Sequence, residues 1–182
     1  AALEKILDAA QRAGEILDKF KDLSAPAERQ VPKERIQLTD ILEEAFELME
    51  HQFKVNNVKV CKVKMEKVEL EAHSTSLLQV FVNLAINSIH AMGDSGQIDY
   101  SVQVIGDYAE VRIRDYGPGI KPELLDKVME PFFTTKGDNG TGLGLPICRE
   151  IIEIEHRGEF QIRNHGVKGL EAVIRLPLKH KE

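Results

Sequence analysis

Four polar side chains fall in register on a helical stretch that carries no charge. Between Ala72 and Gly93 there is no Asp, Glu, Lys or Arg, yet the segment holds Gln79, Asn83, Asn87 and His90. With Gln79 at zero and about 100° per residue, Asn83, Asn87 and His90 fall at about 40°, 80° and 20°. A lone buried Asn meets a neighbour's backbone or faces water. Left unpaired, it costs roughly 1–3 kcal/mol. Four in one stripe read as the wall of a polar site. Asparagine offers an uncharged oxygen to a hard cation and an amide N–H to phosphate oxygens.

Three further constellations carry potential chemistry. Asp115-Tyr116-Gly117-Pro118-Gly119-Ile120 ends an alternating strand. It reads either as an ordinary turn or as a carboxylate that accepts a hydrogen bond from an amino group such as adenine's. In the second reading the glycines let a flat ligand approach the backbone. Gly140-Thr141-Gly142-Leu143-Gly144-Leu145 runs into a helix, where exposed N–H groups favour anions. Its spacing fits neither the dinucleotide fingerprint nor a P-loop. Glu130-Pro131-Phe132-Phe133-Thr134-Thr135-Lys136 pairs two aromatics, a candidate hydrophobic anchor, with hydroxyls and a cation suited to a triphosphate.

Elements must position these groups. Leu3, Ile6, Ala10, Ala13, Leu17, Phe20 and Ser24 recur alternately three and four residues apart, an apolar seam that needs partner helices. The seam predicts a helix over 1–24, with Pro26 and Pro32 marking a linker over 26–33. A helix is expected over Asp40–Phe53, capped by Thr39 or Asp40. Strands are expected over Val58–Met65 and Val68–Ala72, then a long helix over Ser76–Met92 closed by Gly93. A hairpin covers Ile98–Ile105 and Ala109–Arg114. A loop of more than 20 residues follows to Gly144, and loops of that length are usually functional. A helix from Pro146 to about His156 and strands over Glu159–Arg163 and Leu170–Leu176 complete the chain. This order predicts an α/β two-layer sandwich, a mixed sheet covered by helices.

The composition agrees with a globular chain. The 182 residues are 42% hydrophobic and 30% charged, with net charge −6. That acidity makes nucleic acid a poor partner. Cys61 and Cys148 lack metal-ligand spacing and read as buried free thiols in a reducing, cytoplasmic compartment. Charges throughout Ala1–Leu23 argue against a signal peptide, and the polar residues of 72–93 argue against a membrane span.

N-L-x-x-N at 83–87, D-x-G-x-G-I at 115–120, E-P-F-F-T-T-K at 130–136 and G-T-G-L-G-L at 140–145 resemble, in order and spacing, the N, G1, F and G2 boxes of sensor histidine kinases. The F box is similar to the nitrogen-regulation type. The resemblance covers residues 36–178 and implies the mostly antiparallel fold shared with gyrase, a heat-shock chaperone and a mismatch-repair ATPase. It implies an ATP-binding catalytic domain over 34–182, preceded over 1–25 by the end of a dimerisation and phosphoacceptor helix.

By resemblance, Asn87 holds Mg²⁺, and Asn83 contacts phosphate directly or through the metal's water. Asp115 takes the adenine amino group, with Gly117, Gly119 and Ile120 around the base. Phe132 and Phe133 anchor a lid. Thr134, Thr135 and Lys136 lie near the phosphates. Gly140, Thr141, Gly142, Leu143 and Gly144 grip them, with His90 nearby. ATP and Mg²⁺ are the implied cofactors. A phosphoacceptor helix, a response regulator and a second subunit of the parent protein are the implied partners. The resemblance leaves room for a membrane anchor of the parent protein outside this chain.

The sequence departs from the family at His73, His90 and Arg157, and none of its six histidines stands in the His-Glu/Asp-x-x-x-Pro context. The ATP-hydrolysing relatives of the fold place a glutamate at the position of Asn83, and an amide cannot act as a general base. Three rival readings are an ATP hydrolase, a serine or threonine kinase of the same fold, and a non-catalytic module that binds response regulators or senses ATP.

Overall fold

A computed structural model describes residues 32–93, 95–135, 141–166 and 168–178. The expected helix over 1–24 and all of the linker except Pro32 and Lys33 lie outside the described residues. The chain falls into two compact units, Ala1–Pro32 and Lys33–Glu182, and every described helix and strand belongs to the second.

The described elements are β1 (Glu34–Gln37), α1 (Leu38–Leu48), α2 (Glu50–Val55), β2 (Val58–Met65), β3 (Glu69–Ala72) and α3 (Ser74–Met92). After them come β4 (Gly96–Ile105), β5 (Tyr108–Asp115), α4 (Gly144–Glu150), β6 (Glu159–Asn164) and β7 (Leu170–Pro177). Strands β1 and β3 pair antiparallel as a ribbon, with Ile36 opposite Leu70. The main sheet has the order β2-β4-β5-β7-β6. Only β2 and β4 run parallel, and the other neighbours are antiparallel. The expected mixed, mostly antiparallel sheet under helices is present.

Period-two alternation decides which face the helices cover. Along β5, Ala109, Val111 and Ile113 are buried in the core, while Glu110, Arg112 and Arg114 point the other way. On the core face, α1 packs against α3, and α3 against α4. Phe81, Leu77 and Val80 of α3 are fully buried there. The opposite face is a polar lattice. Glu110 accepts hydrogen bonds from Arg112 at 2.6 Å and Arg175 at 2.8 Å. These donors hold its carboxyl below the usual range against the opposing effect of burial.

Four expectations need correction. The first helix starts at Leu38, after Gln37, with no side-chain cap; Thr39 is buried inside its first turn instead of capping it. That helix also breaks at Met49 into α1 and α2. The period persists across the break, so spacing alone gives no sign of it. Strand β1 has no counterpart among the expected elements, because only Ile36 of its four residues is buried and no alternation shows. Cys61 is half-buried on edge strand β2, whereas Cys148 is buried as expected. In β2 the register slips between Lys62 and Lys64, which leaves Val63 exposed and explains its odd spacing from Val60.

Candidate functional site

The polar stripe runs along α3 from exposed Gln79 through half-buried Asn83 and Asn87 to exposed His90. Asn83 Nδ2 is buried and has no hydrogen-bond partner among the described residues. Helix α4 begins beside Asn87: a Cβ added to Gly144 would stand 3.6 Å from Asn87 Nδ2. The stripe and the start of the last helix therefore form one corner.

Asp115 forms a second corner. It is 3% exposed at the end of β5. Its Oδ1 accepts the Gly117 N–H at 2.9 Å and the Leu170 N–H at 3.2 Å. The Ser88 hydroxyl of α3 also bonds this carboxylate. Burial pushes the carboxyl above the usual Asp range; the two N–H groups, Ser88 and the Arg114 charge oppose that without reversing it. An ionised carboxylate offers about four lone-pair sites. The carboxylate thus retains acceptor capacity for a ligand amine.

The chain after Asp115 is held from β6. The Ile120 N–H donates to Asn164 Oδ1 at 2.8 Å, and Asn164 Nδ2 donates to the Ile120 carbonyl at 2.6 Å. Gly119 takes φ 75°, and a Cβ there would approach Asn164 Oδ1 to 2.6 Å. At Gly169 a Cβ would overlap the Asp115 carbonyl, so this position admits no side chain.

The loop segments meet across residues outside the described set. The Phe132 N–H donates to the Gly142 carbonyl at 3.0 Å. Phe132 has φ 68° and Gly142 φ 64°, and a Cβ on Gly142 would overlap the Phe132–Phe133 backbone. Phe132 is 60% exposed and Phe133 half-buried. Thr134 is half-buried and Thr135 exposed. Thr141 is exposed, and its hydroxyl accepts the N–H of buried Leu143 at 3.4 Å. Lys136 and Gly140 lie outside the described residues.

Sequence reasoning missed Ser88, Asn164, Gly169 and His156. Ser88 alone left a trace, as a small hydroxyl on the buried side of an apolar helix. His156 is fully buried after the π turn Ile151–Glu155 that extends α4. Its Nε2 accepts the His73 N–H at 3.1 Å, and its Nδ1 lies 2.8 Å from the Ile151 carbonyl. That pairing fixes the Nδ1–H tautomer and ties the end of α4 to the start of α3. Burial holds this imidazole below the usual histidine range, outweighing the bond to Ile151.

A buried carboxylate at a glycine turn, bonded by the helix that carries the amide stripe on a helix-covered mixed sheet, fits a nucleotide-binding domain. The family model for "Histidine kinase-, DNA gyrase B-, and HSP90-like ATPase" matches residues 72–180. The chain belongs to that family. Sporulation kinase A of Bacillus subtilis is 32% identical over 165 residues, 90% of this chain and 27% of that protein. Sensor histidine kinase ZraS of Salmonella typhimurium is 31% identical over 171 residues, 93% of this chain and 36% of its own. The chain thus spans about a third or less of these relatives. The solved catalytic domain of histidine kinase ThkA superposes with TM-score 0.74 at 34% identity, covering 80% of this chain and 95% of that one. ThkA in complex with response regulator protein TrrA gives TM-score 0.80 at 29% identity, covering 96% of this chain and 49% of that one. Residues 72–180 are an ATP-binding catalytic domain of the histidine kinase type.

Proposed function

We propose that this domain binds Mg·ATP through the four boxes and presents the γ-phosphoryl group to a histidine absent from this chain, on the phosphoacceptor helix whose end is residues 1–25. In this reading 26–33 is the linker and 34–182 the catalytic domain. The parent protein acts as a homodimer and serves a response regulator, a partner of the kind seen in the ThkA–TrrA complex.

One observation carries the reading: Asn83 buries an amide donor that has no partner among the described residues, on the face it shares with Asn87. A buried unpaired N–H is costly, and a phosphate oxygen would satisfy it. An amide at this place binds without activating water, which favours holding ATP over hydrolysing it. Asp115 would accept the adenine amino group. Asn87 would lend its amide oxygen to Mg²⁺. Among the described residues no group of three His, Cys, Asp or Glu could hold a metal. A cation bound by one amide and by phosphate oxygens matches the habit of Mg²⁺, which keeps few protein ligands. When bound, Mg²⁺ supplies charge neutralisation at the phosphates. The chain's own contribution to transfer is position: Asp115 fixes the base end, Asn83 the phosphate end.

Calorimetric titration with a non-hydrolysable ATP analogue tests this. Wild type binds more tightly with Mg²⁺ than without, Asp115→Ala loses binding, and Asn87→Ala loses the Mg²⁺ enhancement. A wild type that binds equally with and without Mg²⁺ would remove Asn87 from its role.

A further inference from the structure

Asn164 lies 44 residues from Ile120 in sequence, yet it pairs with both polar groups of that residue's backbone. Both bonds are short, at 2.8 and 2.6 Å. The opposite amide orientation would set donor against donor and acceptor against acceptor, so the pairing also fixes which way the amide points. Gly119 fits the same clip, because any Cβ there would press on Asn164 Oδ1. The turn between β6 and β7 has a second hold on the neighbouring corner. The Leu170 N–H bonds Asp115 Oδ1, and Gly169 lies against the Asp115 carbonyl. The two ends of that turn therefore grip the two ends of the segment 115–120.

We infer that Asn164 is a positioning residue that sets the base discrimination of the nucleotide pocket, an inference that rests on the proposed role of Asp115. Asp115 favours a base with an amino group and disfavours one with a carbonyl in its place, as in guanine. That preference holds only while the base lies in one plane relative to the carboxylate. Gly119 and Ile120 form the floor that sets the plane, and Asn164 fixes the floor. The side chain itself is exposed and touches no phosphate site, so its influence falls on the base end.

The 182-residue chain is titrated with non-hydrolysable ATP and GTP analogues, as wild type, Asn164→Ala, Asn164→Asp and Asp115→Ala. Removing two partly solvated hydrogen bonds should weaken ATP binding about fivefold while leaving the weaker GTP binding nearly unchanged. Asn164→Asp keeps size and shape but faces an oxygen to the Ile120 carbonyl, so it should narrow the ATP preference as the alanine does. It separates pairing from packing if the alanine variant folds poorly. Wild-type ATP affinity in both Asn164 variants, or equal loss for both analogues, would overturn the inference. Asp115→Ala binding ATP as wild type does would overturn the site reading itself, and this inference with it.

Discussion

Asp115 carries its charge where the fold disfavours it. Burial pushes its carboxyl above the usual Asp range despite the N–H groups of Gly117 and Leu170. The folded chain therefore holds that proton more tightly than the unfolded chain. The residue supports folding below the ordinary Asp value, near about 4, and that support is lost as pH rises through the folded-state value. At neutral pH the ionised group is a net cost that the binding role proposed for it would explain. Asp115→Asn should therefore melt above wild type at pH 7, and the gap should shrink as pH falls toward about 4. The same variant should lose affinity for the ATP analogue. Thermal unfolding across that range checks the claim, and a variant melting at or below wild type at pH 7 would sink it. The sequence displayed Asp115 plainly, as an acid ending a strand before two glycines. It did not display Ser88 or Asn164. Their partners are fixed by strand order and by which helix face meets the sheet, neither of which is local information.

Two glycines with positive φ do different work among the elements. Gly93 ends α3 at φ 75° and a Cβ there would meet nothing within 4 Å. Gly142 has φ 64°, and a Cβ there would overlap the backbone of Phe132 and Phe133. Gly93→Ala should cost only the backbone strain of φ 75°, ψ −125°, a region outside the left-handed well, roughly 1–3 kcal/mol, read as a lower global melting temperature. Gly142→Ala should instead separate two loop segments joined by the bond from Phe132 N–H to the Gly142 carbonyl. Local opening of that kind leaves the global transition nearly in place. It should speed chymotrypsin cleavage after Phe132 or Phe133. Cleavage at the wild-type rate in Gly142→Ala would contradict this. The helix and hairpin periods were legible because each buries one face, as α3 and β5 do. Strand β1 and the break at Met49 were not, since a four-residue strand with one buried side chain leaves almost no pattern.

At the scale of the whole molecule, the Asp115 turn, the amide stripe and the Gly144 start of the last helix come together only through the sheet order. Strands β2 and β4 pair in parallel, which requires the crossover through β3 and α3. That crossover lays α3 beside the end of β5, where Ser88 bonds Asp115, and the β6–β7 turn closes on the same end. A sequence read locally yields the boxes but not this parallel pairing, which depends on contacts far apart along the chain. In the proposed reading this site holds a phosphoryl group ready for transfer, and its destination is open to test. Exposed His51 and His90, half-buried His73 and His165 and buried His156 lack the His-Glu/Asp-x-x-x-Pro context, and so does His180, which lies outside the described residues. His156 also has both ring nitrogens engaged, at 3.1 Å and 2.8 Å. Incubated alone with ATP labelled at the γ-position, the 182-residue chain should bind nucleotide yet acquire no acid-labile, alkali-stable label. Sustained labelling of any of these histidines would mean that the acceptor lies within this chain, and the proposed division of labour between domain and phosphoacceptor helix would fail.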